Sequence, residues 1–287
     1  MSSPAVGPLD TVLRVLDLEQ VDADTFTGSN LPLPGGRVFG GQVLAQAVLA
    51  AGRTVEADRL PHSVHGYFLR AGDVARPVRF AVERLRDGRS FSARRTHALQ
   101  DGVPILSLIT SFQIDQPGLD HADAAPTSVP APEDLPSPLD RPPADHPLAR
   151  FWIQSGAFEL RHVEESLATE HHPPATDRQM VWMRARGPVP DDALLHRALL
   201  AFACDQAMLE PVLRRHSALW STPGLSIASL DHAMWWHRPA RVDEWLLYVQ
   251  SSPTAQGGRG LGAAQVFSRE GELVATIAQE GMVRIPS

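Results

Sequence analysis

The spacing of apolar residues predicts a helix and then an antiparallel sheet in the first part of the chain. Residues 8–20 place Val12, Leu13 and Leu16 on one face, which is typical of a short amphipathic helix. Residues 21–33 fit a strand and turn. Gly40-Gly41 then precedes a small-residue apolar stretch that ends near Gly52 and predicts a second, buried helix.

Alternation of apolar and polar residues after this helix predicts four strands. Two of the turns between them contain Asp-Gly, which favours hairpins. The predicted strands cover residues 63–70, 77–86, 90–100 and 104–114, with turns at Asp87-Gly88 and Asp101-Gly102. An antiparallel sheet preceded by one apolar helix buries its apolar face by wrapping that helix. This segment is therefore expected to form an α+β unit.

The same order of elements returns after a segment rich in proline. Residues 117–147 contain nine prolines and no hydrophobic period, which indicates a linker. Strands are predicted at about 158–163 and 179–186, followed by a helix over residues 192–209 that ends or kinks at Pro211. Further strands are predicted at about 225–237, 243–252, 259–268 and 273–284.

Two stretches separated by about 170 residues repeat the same plan, which indicates a duplicated domain. GYFLRAGDVARPVRF from residue 66 aligns with AMWWHRPARVDEWLL from residue 233, and residues 89–113 align with residues 259–283. We expect an N-terminal unit over residues 8–116, a linker over 117–150 and a C-terminal unit over 151–287. Edge-to-edge pairing of the two sheets would cover their edge strands.

A carboxylate inside the apolar helix of the second unit is the first candidate for chemistry. Asp205 follows the single cysteine, Cys204, and the residues one turn away on either side are apolar. A carboxylate in dry surroundings is costly unless it finds a partner, so Asp205 requires partners from elsewhere in the chain. It could cap a neighbouring element, or it could be held for acid–base work.

The duplication provides an internal comparison for this carboxylate. The alignment pairs Asp205 with Gln42, Gln279 with Thr110 after a gap of one residue, and Ser229 with His62 and Ser63. Gln279 falls on the apolar face of its strand, where an amide needs a buried partner. Because the first unit has no carboxylate at these positions, any acid–base chemistry is expected in the second unit.

Composition narrows the class of protein. The chain is 43% hydrophobic and 21% charged, as in soluble globular proteins, and its net charge of −7 argues against a nucleic-acid binder. It contains no lysine and one cysteine, no apolar run long enough to span a membrane, and no signal peptide or peroxisomal tail. We therefore expect a cytoplasmic protein that is not inserted into a membrane.

Several familiar motifs are absent or fit poorly. Gly40-Gly41 lacks the spacing of phosphate or dinucleotide loops, and close packing of a helix on a sheet is its simplest role. No Gly-x-Ser-x-Gly elbow is present. His232 and His237 are five residues apart on a strand, so they point to opposite faces and make a poor metal pair. All six tryptophans follow residue 150, and part of this set could line a pocket.

The chain resembles the acyl-CoA thioesterase II family over nearly its whole length, from about Leu9 to Arg284. The matching blocks are VFGGQVLAQAV, HSVHGYFLRAGD, LRDGRSFSARR, ASLDHAMWWHRP, EWLLY and VATIAQEG. The resemblance implies a double hotdog, with two helix-and-sheet repeats in one chain. It also implies a hydrolase that converts medium- to long-chain acyl-CoA to fatty acid and coenzyme A without a metal or other cofactor.

The resemblance further implies a site formed by an aspartate, a hydroxyl and a glutamine, which match Asp205, Ser229 and Gln279. Related enzymes commonly carry threonine at the serine position, so this chain keeps the hydroxyl and lacks the methyl group that fixes its rotamer. The implied reaction is direct attack by water, with Asp205 as the base. Oxyanion donors could come from Gly40-Gly41 or from the helix of the second unit, and surface arginines are expected to contact the coenzyme A phosphates.

Two other functions stay open on the sequence alone. One is a hydratase or dehydratase acting on acyl-CoA, although the Asp–His pair that such enzymes carry on their helix is missing. The other is a non-catalytic module that binds acyl-CoA. Because hotdog sheets often pair further, a homo-oligomer, either a dimer or a tetramer, is expected.

Overall fold

A computed structural model describes residues 7–140, 150–153, 156–167, 176 and 178–285. The helices are α1 (Pro8–Leu16), α2 (Gly40–Gly52), α3 (Ala193–Cys204) and α4 (Glu210–Arg215). The strands of the first half are β1 (Glu19–Asp22), β2 (Thr25–Gly28), β3 (Arg59–Phe68), β4 (Val78–Asp87), β5 (Phe91–Gln100) and β6 (Val103–Ile114). Those of the second half are β7 (Phe158–His162), β8 (Arg178–Ala185), β9 (Ser226–Ser229), β10 (Asp231–Trp236), β11 (Leu246–Gln256), β12 (Arg259–Phe267) and β13 (Leu273–Arg284).

The strands form one antiparallel sheet of 13 strands, and the two halves meet in its centre. The order is β1-β2-β4-β5-β6-β3-β10-β13-β12-β11-β8-β7, with β9 also paired to β13. Strand β3 of the first half pairs with β10 of the second, from Ser63 opposite Trp235 to Tyr67 opposite Asp231. The expected α+β class and the edge-to-edge pairing of the two sheets are therefore both confirmed.

Helices α2 and α3 lie antiparallel and in close contact at the centre of the fold. A Cβ atom at Gly41 would lie 2.5 Å from the carbonyl oxygen of Phe202, and Gly52 at the other end of α2 lies against Leu194. Gly41 therefore permits close packing of helix on helix, rather than the helix-on-sheet packing expected from the sequence. The start of α2 consequently faces the end of α3.

The predicted helix over residues 192–209 begins as expected and ends early. Asp192 caps it, because its carboxylate accepts hydrogen bonds from the N–H groups of Leu194 and Leu195. The α-helix stops at Cys204, and the next residues form turns with bonds such as that from the Gln206 N–H to the Ala203 carbonyl. Pro211 lies in the first turn of α4, where proline is tolerated, instead of ending α3.

The first predicted helix also ends before its expected boundary. It was predicted over residues 8–20, but α1 ends at Leu16, and Glu19 and Gln20 pair with Thr27 and Phe26 as part of a hairpin. Hydrogen bonding between β1 and β2 here overrides the helical spacing. The four strands predicted in the first half are confirmed to within a few residues, and Asp101-Gly102 forms a turn in which both residues have positive φ.

The proline-rich segment contains no helix or strand between residues 115 and 131, and two short 3-10 turns follow. It lies against the second half: the Trp182 indole N–H donates to the Pro130 carbonyl, and Arg269 pairs with Glu133. Residues 141–149 of the predicted linker are outside the described residues. None of the helices described is long and apolar enough to cross a membrane.

Candidate active site

Asp205 lies between the end of α3 and the start of α2. It is the C-cap residue of α3, and its Oδ2 accepts a hydrogen bond of 2.7 Å from the main-chain N–H of Gly41. A Cβ atom at Gly40 would lie 2.7 Å from the same oxygen. The small residues at the start of α2 therefore allow a partly buried carboxylate to approach a helix N-terminus, where negative charge is stabilised.

Ser229 and Gln279 approach the other carboxylate oxygen from the sheet. Ser229 ends β9, Gln279 lies on β13, and the two strands are neighbours. The Gln279 Nε2 group donates to Asp205 Oδ1 over 2.8 Å and to Ser229 Oγ over 2.8 Å, and the serine hydroxyl donates to Asp205 Oδ1 over 3.3 Å. The structure thus brings together the three residues singled out in the sequence.

His232, which was named from the sequence only as half of a poor metal pair, extends this cluster. It lies on β10 with 1% of its surface exposed, and its Nδ1 is 2.7 Å from Gln279 Oε1. His237 is exposed on the opposite face of the sheet, as the strand spacing predicted. Burial lowers the pKa of the His232 imidazole although Asp205 acts to raise it.

On its other side the His232 ring approaches the buried thiol of Cys204. The Nε2 atom is 3.6 Å from Cys204 Sγ, and that sulfur is 3.1 Å from the Ala201 carbonyl oxygen to which it can donate. Burial raises the pKa of the Cys204 thiol well above its usual value. A neutral buried thiol is a poor nucleophile, so Cys204 packs against the cluster rather than supplying chemistry.

A cavity of about 640 Å³ opens onto the carboxylate. Asp205, Ser229 and Gly40 lie in its wall. Most of the remaining wall is apolar, and it includes two of the six tryptophans: Leu33, Val38, Phe39, Trp152, Ile153, Phe158, Leu160, Leu209, Trp220 and Ile227. Such a wall suits an apolar chain whose polar end reaches Asp205.

A second polar group in the same wall had no signal in the sequence. Glu210 opens α4, and its carboxylate accepts hydrogen bonds from Gln179 (2.7 Å), His162 (3.1 Å) and Trp220 (2.9 Å). Burial acts to raise the pKa of the Glu210 carboxyl, but His162 and the other donors outweigh it and lower the pKa. Among the described residues, no group of three or more His, Cys, Asp and Glu side chains is placed to hold a metal ion.

The strand register corrects the internal alignment of the two halves. The sequence alignment set Gly66 beside Ala233, but Gly66 is buried and Ala233 belongs to the other face of the sheet. The inward faces of β3 and β10 and their cross-strand partners both agree when Val64 matches His232, because Val64 pairs with Thr110 and the register of β10 with β13 sets His232 opposite Gln279. Gly66 then matches Met234. One residue of shift exchanges the faces of a strand, which is why the correction is needed.

A bulge in each half fixes the position equivalent to Ser229. In the first half His62 is the extra residue, because the register of β3 with β6 shifts between Pro61 and Ser63. In the second half Leu230 lies between β9 and β10. Matching the two bulges places Ser229 at the position of Pro61, one to two residues from the predicted counterparts.

The chain is similar to known acyl-CoA thioesterases over nearly its whole length. Family models described as Acyl-CoA thioesterase and Acyl-CoA thioesterase N-terminal domain match residues 154–282 and 29–113. Acyl-coenzyme A thioesterase 8 of Homo sapiens is 40% identical, with 97% of this chain and 91% of the human protein covered.

Solved structures agree with this similarity. The crystal structure of acyl-CoA thioesterase II TesB2 from Mycobacterium marinum is 42% identical with a TM-score of 0.80, covering 96% of this chain and 99% of that one. A protein of unknown function with a hotdog fold from Alicyclobacillus acidocaldarius shares the fold, with a TM-score of 0.79 at 23% identity and coverage of 96% and 99%. The fold is thus the expected double hotdog, and the chain belongs to the acyl-CoA thioesterase family.

Proposed function

We propose that this chain hydrolyses medium- to long-chain acyl-CoA by direct attack of water, with Asp205 as general base and with Ser229 and Gln279 helping to hold the water, Gln279 through its hydrogen bonds to Asp205 and Ser229. Membership of the family makes the chain a thioester hydrolase. The observation that carries the proposal is the convergence of the Ser229 hydroxyl and the Gln279 amide on Asp205 Oδ1 in the wall of an apolar cavity.

The proposed reaction needs one base and one donor to the thioester carbonyl. A water beside Asp205 Oδ1 is within reach of the Ser229 hydroxyl and attacks the carbonyl carbon as the carboxylate takes its proton. The tetrahedral intermediate then loses coenzyme A as the C–S bond breaks. The thiolate leaving group takes the proton from Asp205, which restores the carboxylate, and the fatty acid keeps the oxygen of the water.

The start of α2 is the source of the oxyanion donor in this proposal. The first N–H groups of a helix have no partner within it, and they favour negative charge. The Gly41 N–H donates to Asp205 Oδ2, so the candidate oxyanion donor is the N–H of Gly40. Gly40 lies in the cavity wall. The N-terminus of α2 would then orient the base through Gly41 and stabilise the oxyanion through Gly40.

The cavity supports the substrate class. Its volume of about 640 Å³ and its apolar wall suit an acyl chain of medium or greater length. Arg37 also lies in the wall and is exposed to solvent, so it is the candidate among the surface arginines for contact with the phosphate-bearing end of the substrate. A homo-oligomer and a cytoplasmic location remain part of the proposal.

A hydratase or dehydratase reaction is the alternative that shares this cavity. His232 is engaged by Gln279 and 1% exposed, which argues against its use as an acid on substrate. His162 and Glu210, however, form a histidine–carboxylate pair 3.1 Å apart in the cavity wall. An assay of the reaction must therefore follow enoyl absorbance as well as thiol release.

The test is release of free thiol from acyl-CoAs of short to long chain by the wild type and by Asp205→Asn. We expect release with medium and long chains, and a loss of about a thousandfold in kcat in the variant, since a general base contributes about that much. Asparagine keeps the shape of the aspartate side chain. A melting temperature close to that of the wild type would show that the variant is folded. A variant with nearly the wild-type rate, or loss of enoyl absorbance without thiol release, would contradict the proposal.

A further inference from the structure

We propose that His232 is a positioning residue, which fixes the orientation of the Gln279 amide and thereby the groups that surround Asp205 Oδ1. The inference rests on the thioesterase function proposed above and extends it to a buried side chain that does not line the substrate cavity. Three observations carry it: the hydrogen bonds at both ends of the Gln279 amide, the burial of the histidine ring, and the residues that replace this pair in the first half of the chain.

The first observation is the use of both ends of one amide. The Nε2 end of Gln279 supplies its two hydrogens to Asp205 Oδ1 and Ser229 Oγ, each over 2.8 Å. The Oε1 end lies 2.7 Å from Nδ1 of His232. A rotation of the amide by 180° would turn its oxygen towards the carboxylate and remove the donor from Ser229. The site therefore depends on which way the amide faces.

The histidine favours that orientation through the hydrogen on Nδ1, in the same sense as the Asp205 carboxylate, which can only accept. A protonated Nδ1 donates to Gln279 Oε1 and favours the orientation in which Nε2 faces Asp205. An unprotonated Nδ1 would accept a hydrogen bond and favour the reverse. The Nε2 atom of the ring meets only the thiol of Cys204, at 3.6 Å, among its polar contacts in the described residues. Because the ring is 1% exposed, burial favours its neutral form. The amide oxygen of Gln279 beside Nδ1 and the thiol beside Nε2 then favour the tautomer with its single hydrogen on Nδ1.

The backbone places the two side chains against each other. Ala233 pairs with Ala278 across β10 and β13, so one further step of this register sets His232 opposite Gln279 on the inward face. Cross-strand neighbours on one face are close enough for direct contact. The pair is thus held by the sheet and does not depend on a mobile loop.

The first half has the same backbone position without this pair. Val64 matches His232, and its partner across the sheet is Thr110, at the position of Gln279. Both Val64 and Thr110 have none of their surface exposed, and the Thr110 hydroxyl has no hydrogen-bond partner within the described residues. The hotdog backbone therefore accommodates valine at this inward position when threonine, rather than glutamine, lies opposite.

The experiment compares His232→Val, which installs the first-half residue, with His232→Asn. Asparagine places an N–H donor close to the position of Nδ1 and can restore the bond to Gln279 Oε1. We expect His232→Val to lower kcat roughly tenfold, the size of effect of one neutral hydrogen bond, with KM nearly unchanged. We expect His232→Asn to recover most of that loss. His237→Asn, on the outward face of the same sheet, is the matched control and is expected to match wild type.

A double-mutant cycle separates positioning from a structural role. If His232 acts through the amide, its replacement has no further effect once the amide is gone, so His232→Val in Gln279→Met is expected to match Gln279→Met alone within about twofold. A general loss of structure would instead multiply the two effects and lower the melting temperature. Additive losses in the cycle, a wild-type kcat in His232→Val, or no recovery in His232→Asn would each overturn the inference. Failure of the wild type to release thiol would overturn the proposed function instead.

Discussion

The two halves of this chain share a backbone and differ in what they place on the same inward positions. The second half has Ser229, His232 and Gln279 where the first has Pro61, Val64 and Thr110. Proline, valine and an unpaired hydroxyl cannot form a network, whereas the residues of the second half hydrogen-bond to one another and to Asp205. The duplicated fold thus tolerates either set, and only one set is organised around a carboxylate.

The buried polar residues of α2, in the first half, show the same difference from Asp205. Gln42 and Gln46 on α2 are fully buried, yet their amides bind main-chain groups of Leu31, Ser29 and Val15 and each other. Those bonds hold α2 to the preceding segments of the chain. Asp205 instead lies in the wall of a cavity. A buried polar side chain therefore marks a site only when some of its surroundings are left for a ligand.

Removing the amide from the second-half network is the sharpest test of this difference. Gln279→Met keeps the length of the side chain and removes the donor to both Asp205 and Ser229. We expect a loss of about a hundredfold in kcat, since an oriented donor at a reacting centre is worth that much. Thiol release under saturating acyl-CoA measures it. A loss smaller than fivefold would show that the amide is a structural neighbour of the site.

Substitution of Ser229 is expected to lower kcat less than substitution of Gln279, and threonine provides a conservative control at this position. Ser229→Ala removes a hydroxyl that donates to Asp205 and accepts from Gln279. We expect about a tenfold loss of kcat, because Gln279 still donates to the carboxylate. Ser229→Thr keeps the hydroxyl and restricts its rotamer, so its rate is expected to equal or exceed that of wild type. A threonine variant as slow as the alanine variant would argue against a role for the hydroxyl.

The smallest effect is expected in the first half. Thr110 lies at the position of Gln279, but its hydroxyl is buried without a partner in the described part of the chain. Thr110→Val removes that unpaired group, so we expect kcat within twofold of wild type and an unchanged or higher melting temperature. A large loss of activity would mean that the first half contributes to the reaction in a way the comparison of the halves does not capture.

Much of this comparison could be made from the sequence, because period-two alternation and Asp-Gly turns determine strands locally. The predicted strands, the duplication and the meeting of Asp205, Ser229 and Gln279 all rest on such patterns or on the family resemblance. The exact alignment of the halves did not follow, because the matched stretches are one residue out of step with the inward faces of β3 and β10, and the equivalent bulges at His62 and Leu230 were not predicted. A bulge is a feature of strand pairing and has no clear signal in one strand alone.

Tertiary contacts explain the other differences. Residues 206–209 continue the apolar pattern of α3, but the chain turns there so that Asp205 meets the Gly41 N–H, which is 164 positions away in sequence. The roles of His232 and Glu210 were missed for the same reason. Their partners lie on other elements: Gln279 on β13 for the histidine, and Gln179 on β8 for the glutamate.

The central claim is that Asp205 activates water and forms no bond to the acyl group. The most direct measurement follows ¹⁸O during hydrolysis of acyl-CoA in labelled water, with mass spectrometry of the fatty acid and of the Asp205 peptide. The account predicts one ¹⁸O in the acid released in the first turnover, and an unlabelled Asp205 after many turnovers. Incorporation of ¹⁸O into the Asp205 carboxylate, or an acyl adduct on that residue in rapidly quenched enzyme, would show that the aspartate attacks the thioester itself and would contradict the account.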